Sequence, residues 1–152
     1  MSPIGVSLRS VADRLALIDY FLAEIRALPL NDTEEFFRDT RNVWTCESCL
    51  RRSLEALLDI GRHILAKGYG IAVTEYAKVG ERLGKDAGFR RDEAELLQKL
   101  AGYRNRMVHF YHEITPEELH RICRDELHDV ETITNGLRRW IRENPDKIDE
   151  TL

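Results

Sequence analysis

Residues 93–119 read EAELLQKLAGYRNRMVHFYHEITPEEL, and two helices with a joint between them can be read from this stretch alone. Leu96, Leu100, Tyr103 and Met107 recur at spacings of 4, 3 and 4, the period of one helix face. Thr115-Pro116-Glu117-Glu118 then opens a second helix, with a threonine cap, proline at the first helical position and glutamate at the third. Between them stand Arg104, Asn105, Arg106, His109, Tyr111 and His112. Such a gathering is either a solvated helix end or an active site.

The same periodicity extends outward in both directions. Val11, Leu15, Ile18, Leu22 and Ile25 form one apolar stripe, ended by Pro29. Asp32 with Glu35 has capping-box spacing, and a long pattern runs from there to about Lys67 with Leu50, Leu54, Leu57 and Ile64 on one face. Gly61 falls on that face, where a neighbouring helix can approach closely. Gly68-Tyr69-Gly70 closes the element. A short helix from Thr74 to about Leu83, ended by Gly84, and a helix opened by Asp92 and Glu95 follow. The last helix carries Leu119, Ile122, Val130, Ile133, Leu137 and Trp140, and a polar tail follows Asn144, over about 145–152. No stretch alternates with period 2, so no sheet is expected. The expected architecture is all-α: an up-and-down bundle of four long helices and one short, in one domain over residues 1–152.

The 152 residues carry 43% hydrophobic and 33% charged side chains, ordinary for a soluble globular chain. No apolar run reaches the roughly 20 residues of a membrane span, and the first residues lack a signal-peptide pattern, so a cytoplasmic location is expected. A net charge of −4 gives no overall attraction to nucleic acid. Of the 23 basic residues, however, 18 are Arg, the better side chain for bidentate phosphate contacts. Three cysteines are too few for a disulfide framework. Cys46 and Cys49 form a C-x-x-C within a helical pattern, with no second pair to complete a metal site, and read as small side chains on one helix face.

On an ideal helix, residues four apart differ by about 40° and residues five apart by about 140°. Asn105 and His109 therefore share a face, whereas Arg104 and His109 do not quite. A site using both must unwind at the helix end or combine residues from two chains of a homodimer. The chemistry that suits the set is RNA cleavage without metal. A histidine takes the proton of a ribose 2′-hydroxyl and an arginine stabilises charge on the phosphorane, leaving a 2′,3′-cyclic phosphate and a 5′-hydroxyl.

The run Arg104-Asn105-(Arg106-Met107)-Val108-His109-(Phe110)-Tyr111 resembles the "RN-x-x-VH-x-Y" segment of HEPN domains, specifically of the HepT-like toxins. The resemblance covers nearly the whole chain, including the basic residues near Arg51-Arg52 in the long second helix. It implies a helical bundle paired as a homodimer, with the motif lining a cleft between protomers, acting as a metal-independent ribonuclease toxin of a type VII toxin–antitoxin system. It further implies a minimal nucleotidyltransferase as antitoxin partner, which transfers AMP from ATP to the motif tyrosine. By this resemblance Arg104 and His109 are catalytic, Asn105 is supporting and Tyr111 is the modified residue, with RNA as substrate and no cofactor. Arg106 and His112 lie beside the motif as candidate RNA contacts. Two other classes compete: a non-catalytic HEPN subunit that helps a nucleotidyltransferase bind its substrate, and a metal-binding bundle using Cys46, Cys49 and nearby histidines. A metal pair at His109-x-x-His112-Glu113 lacks a third ligand nearby.

Overall fold

The computed structural model describes residues 5–109 and 114–151. Among them are seven α-helices: α1 (Leu8–Arg26), α2 (Thr33–Arg38), α3 (Thr40–Tyr69), α4 (Val79–Asp86), α5 (Arg91–Val108), α6 (Pro116–Asp125) and α7 (Leu127–Glu143). The four long helices expected from the periodicity are α1, α3, α5 and α7. Three short helices stand where one was expected.

The apolar stripes fall where the spacing puts them. Val11, Leu15, Ile18, Leu22 and Ile25 of α1 are all buried, and they pack on α3. Along the 30 residues of α3, Leu50, Leu54, Leu57 and Ile64 are buried together with Cys46, Leu58, Ile60 and Leu65. Each fully buried Leu or Ile stabilises the fold by about 2 kcal/mol, so α3 is the spine of the core. Within α6 and α7, Leu119, Ile122, Val130, Ile133, Leu137 and Trp140 are buried as expected.

Several boundaries differ from the sequence reading, each for a local physical reason. The long second helix is broken at Asp39, which is extended (φ −117°, ψ 110°) and caps α3 through the Arg41 N–H at 3.0 Å. Phe36 of α2 is buried against the ring of His120, 4.4 Å between centroids, and this docking turns α2 away from the axis of α3. The last helix is likewise two, parted at Glu126, whose carboxylate is held by Arg121, Lys99 and the Tyr103 hydroxyl. Helix α5 begins at Arg91 rather than at Asp92. Glu93, not Glu95, closes its first turn by accepting the Arg90 N–H at 2.9 Å. On its inner face Leu97 is buried where Leu96 was expected, and Leu96, Tyr103 and Met107 are half-buried against the core. Gly84 lies inside α4, which ends at Asp86 with Ala87 as its cap, before Gly88. The polar tail is also ordered: Ile148–Asp149 pairs in parallel with Val6–Ser7, a two-strand sheet that the absence of alternation did not signal.

Two glycines set the spacing of α3, α4 and α5. A Cβ on Gly61 of α3 would lie 2.6 Å from Val79 Cγ1, the close approach expected at that position. A Cβ on Gly80 of α4 would lie 2.5 Å from the Ala94 carbonyl oxygen and 2.9 Å from Leu97 Cβ. Helix α4 therefore sits directly on the backbone of α5. The Gly80→Ala substitution is expected to cost about 2 kcal/mol by overpacking. Thermal denaturation checks this: an unchanged midpoint would show that the α4–α5 contact is not tight.

Glu93 is only 4% exposed and meets Arg139 of α7 through two hydrogen bonds of 2.7 Å. Burial pushes its carboxyl pKa up, but the Arg139 fork and the Arg90 amide outweigh burial and hold it below the ordinary 4.5. A depressed folded pKa gives stability that is present above the unfolded value and lost as pH falls through the folded one. Glu93→Gln is expected to cost about 2 kcal/mol at neutral pH, with the gap to wild type closing below about pH 4. Denaturant titrations at pH 7 and pH 3.5 measure both; a gap independent of pH would sink the assignment.

Candidate active site at the end of helix α5

Helix α5 stops at Val108. His109 is its C-terminal cap, with extended backbone (φ −91°, ψ 122°), while its N–H still donates to the Asn105 carbonyl at 3.0 Å. Of the two ways to bring Arg104 and His109 together, one chain already supplies the first: the helix ends before His109. Arg104, Asn105 and His109 line one open cleft of about 460 Å³, with Arg62 of α3 and with Thr74, Glu75, Tyr76 and Ala77 from the connection into α4. His109 is exposed at its rim.

Arg104 is clamped on several sides. Its Nε and Nη2 donate to Glu55 Oε2 at 3.2 and 2.9 Å, and Nη1 donates to Asn105 Oδ1 at 3.3 Å. Its guanidinium lies over the ring of Tyr76, 4.7 Å from the centroid. Such stacking is worth about 1 kcal/mol and fixes the plane of the cation. Tyr76 is itself held, its hydroxyl donating to Asp59 Oδ1 at 2.7 Å. Burial, with that hydrogen bond, pushes the Tyr76 pKa up to about 12, so it remains a neutral phenol at physiological pH. The other oxygen of Glu55 accepts from Arg51, which also pairs with Glu47. Arg51, Glu55, Asp59 and Arg62 stand at spacings of 4, 4 and 3, forming one polar stripe of α3 that faces the end of α5.

The other sequence candidates are placed differently. Arg106 points away from this cleft and forks onto Glu118 of α6, with bonds of 2.8 and 2.6 Å. Glu118 in turn donates its N–H to the Thr115 hydroxyl, the cap read from the sequence. Arg106 thereby ties the end of α5 to the start of α6. Tyr111 and His112 lie outside the described residues. Cys46 and Cys123 are buried, and the hydrogen bond the Cys123 thiol gives to Cys46, together with burial, pushes the Cys123 pKa upward. Burial also raises that of the half-buried Cys49, so Cys49 and Cys123 are neutral thiols rather than ready metal ligands. Among the described residues, no three His, Cys, Asp or Glu side chains are grouped to hold a metal ion.

Sequence reasoning missed Glu55, Asp59, Arg62 and Tyr76. The charged stripe on α3 was a signal for the first three, since its spacing puts them opposite the apolar face. Nothing in the local sequence marks Tyr76 as a platform for Arg104. Among the described residues, no helix is long and apolar enough to cross a membrane.

The architecture is similar to several solved structures. One is the rebuilt and re-refined tri-AMPylated Shewanella oneidensis HEPN toxin in complex with MNT antitoxin. The match has TM-score 0.76 and 21% identity, over 86% of this chain and 97% of that chain. A chain of a toxin–antitoxin crystal structure with AMP-PNP matches with TM-score 0.73 and 19% identity, over 86% and 98%. YutE from Bacillus subtilis, a cytosolic protein of unknown function, matches with TM-score 0.74 and 17% identity, over 93% and 95%. A comparison with curated proteins finds no match. At such identities the structural likeness speaks for the fold. The model of the family described as ribonuclease HepT-like matches residues 18–137, from the middle of α1 into α7 and through the whole of the motif. The chain belongs to the ribonuclease HepT-like family.

Proposed function

We propose that this chain is a metal-independent endoribonuclease acting as the toxin of a toxin–antitoxin pair. The observation that carries the reading is the cleft in which the end of α5 joins Arg104, Asn105 and His109, with Arg104 already braced by Glu55 and Tyr76. His109 removes the proton of a ribose 2′-hydroxyl. The freed oxygen attacks the adjacent phosphorus and the bond to the 5′-oxygen breaks, giving a 2′,3′-cyclic phosphate. The leaving oxygen takes a proton from a second acid and departs as a 5′-hydroxyl. Arg104 neutralises the charge that builds on the phosphorane, where a pre-fixed cation costs no reorganisation. In a homodimer, the His109 of a second protomer supplies the acid. Asn105 supports the arrangement twice over, through its side chain on Arg104 and its carbonyl on the His109 backbone.

The similar HEPN toxin is tri-AMPylated and sits with an MNT antitoxin. By analogy, the partner here is a minimal nucleotidyltransferase, and Tyr111 is the residue modified. Its oxygen attacks the α-phosphorus of ATP, pyrophosphate leaves and the phenolic proton is lost. The added negative charge two residues from His109 repels RNA from the cleft. A cytoplasmic site of action fits both partners. The competing reading is a binding subunit without catalysis, and the Glu55 carboxylate favours it by neutralising Arg104.

Cleavage of total cellular RNA in excess EDTA tests the choice. Wild-type protein is expected to release fragments ending in 2′,3′-cyclic phosphate. His109→Ala is expected to fold normally and to lose about 10³-fold in rate, the scale of a lost general base. Equal cleavage by both proteins removes His109 from the mechanism. No cleavage by wild type free of AMP favours the binding subunit. Incubation with the cognate nucleotidyltransferase, Mg²⁺ and ATP is expected to add mass in multiples of AMP to wild type and not to Tyr111→Phe. An adduct retained in Tyr111→Phe places the modification elsewhere.

A further inference from the structure

The cleft at the end of α5 has a second one beside it. Arg62 and Thr74 line both, and the second cleft, of about 480 Å³, is completed by Arg14 of α1, His63, Asp59 and the small side chains of the connection after α3. The two adjoin at Arg62 and Thr74, with His109 and Arg104 lining the first and Arg14 the second. Three arginines from three helices thus line the pair.

Two of the three, Arg14 and Arg62, are held more loosely than Arg104, which Glu55 takes at 2.9 Å. Of the 18 arginines, 11, Arg104 included, sit against a carboxylate at 2.5–3.4 Å among the described residues. Arg14 has no carboxylate partner among the described residues, and its one hydrogen bond is a long one of 3.5 Å to the Ser10 carbonyl. Arg62 approaches Asp59 only at 3.6 Å, and that oxygen already accepts the Tyr76 hydroxyl. Both Arg62 and Arg104 face the Tyr76 ring, at 5.5 and 4.7 Å, so one phenol spaces two guanidinium groups. Asp59 is the one carboxylate lining the second cleft, and its Oδ1 meets both the Tyr76 hydroxyl and Arg62. Burial lowers the His63 pKa, and Arg14 and Lys67 push it the same way.

We infer that the cleft formed by Arg14, Arg62, His63 and Thr74 is a second phosphate subsite, which holds the backbone of single-stranded RNA one or more nucleotides from the bond cut beside His109. The inference rests on the ribonuclease reading and extends it from a cleavage point to a substrate track. Arginines short of carboxylate partners keep their charge available for phosphate, and arginine suits phosphate through paired hydrogen bonds. A strand bound through such contacts is read by shape and charge rather than by base edges, so the track gives length dependence without strong sequence choice.

Fluorescence anisotropy of the full-length protein with a labelled, uncleavable 2′-O-methyl hexauridylate, at several salt concentrations, tests the subsite. Cleavage of a uridylyl-adenosine dinucleotide is followed in parallel. Arg14→Glu is expected to weaken hexanucleotide binding about tenfold and to flatten the log–log salt dependence by about 0.7, the loss of one single-strand phosphate contact. Arg14→Gln gives a smaller loss and Arg14→Lys restores most of the affinity. Dinucleotide cleavage stays at the wild-type rate, because the dinucleotide does not reach Arg14. Unchanged hexanucleotide affinity in Arg14→Glu, with its thermal midpoint intact, overturns the subsite and leaves the ribonuclease reading standing. Equal losses on dinucleotide and hexanucleotide show that Arg14 acts on the cleavage site, which also overturns it. Wild-type protein that neither binds nor cleaves removes the ribonuclease reading, and the track with it.

Discussion

Helix α3 has to be buried on nearly every side, and the remaining structure follows from that demand. It packs against α1, α4, α5, α6 and α7, and its interior positions are Leu, Ile, Ala, Cys and Ser53, with Gly61 where α4 comes closest. Along its middle it carries one half-buried polar stripe, from Arg51 through Glu55 and Asp59 to Arg62. A helix buried this thoroughly cannot rotate without exposing leucines at about 2 kcal/mol each. Its polar stripe is therefore a fixed floor, and whatever helix ends above it meets charges in a set geometry.

Helix α5 ends there. Gly80 lets α4 press onto the backbone of α5, and the connection leading into α4 carries Tyr76 beneath the Arg104 guanidinium. Glu55 approaches the same guanidinium from α3. Arg104 is thus oriented by two elements remote in sequence before any substrate arrives, the condition under which a cation stabilises a transition state at least cost. The Glu55 carboxylate also withdraws part of that charge, so a phosphate entering the cleft has to share or displace it. The Arg106–Glu118 fork works on the other side of the helix, tying α5 to α6 across the joint.

The motif could be read in the sequence because its members are neighbours. Arg104, Asn105 and His109 lie within two turns, and the capped start at Thr115 requires the chain to leave the helix before it. The apolar stripes of α1, α3 and α7 could be read for the same reason, since each is a local period. The breaks at Asp39 and Glu126 could not, because each depends on a partner from elsewhere: Phe36 seated on His120, and Glu126 taken by Lys99 and Tyr103 of α5. Local propensity is continuous across both points, and tertiary contacts override it.

By itself, then, the sequence determined an all-α chain of four long amphipathic helices and marked the candidate residues at the end of α5, because helical periodicity, caps and a short motif are all written within a few turns. Only the tertiary structure decided how Arg104 is held. Glu55 lies 49 residues away, and Tyr76 and Arg62 arrive on other elements. It also decided that the helix stops one residue short of His109, so that both side chains open on one cleft. Side-chain direction at a helix end is set by what packs around it, and that information is spread over α3, α4 and α6 rather than carried by the motif.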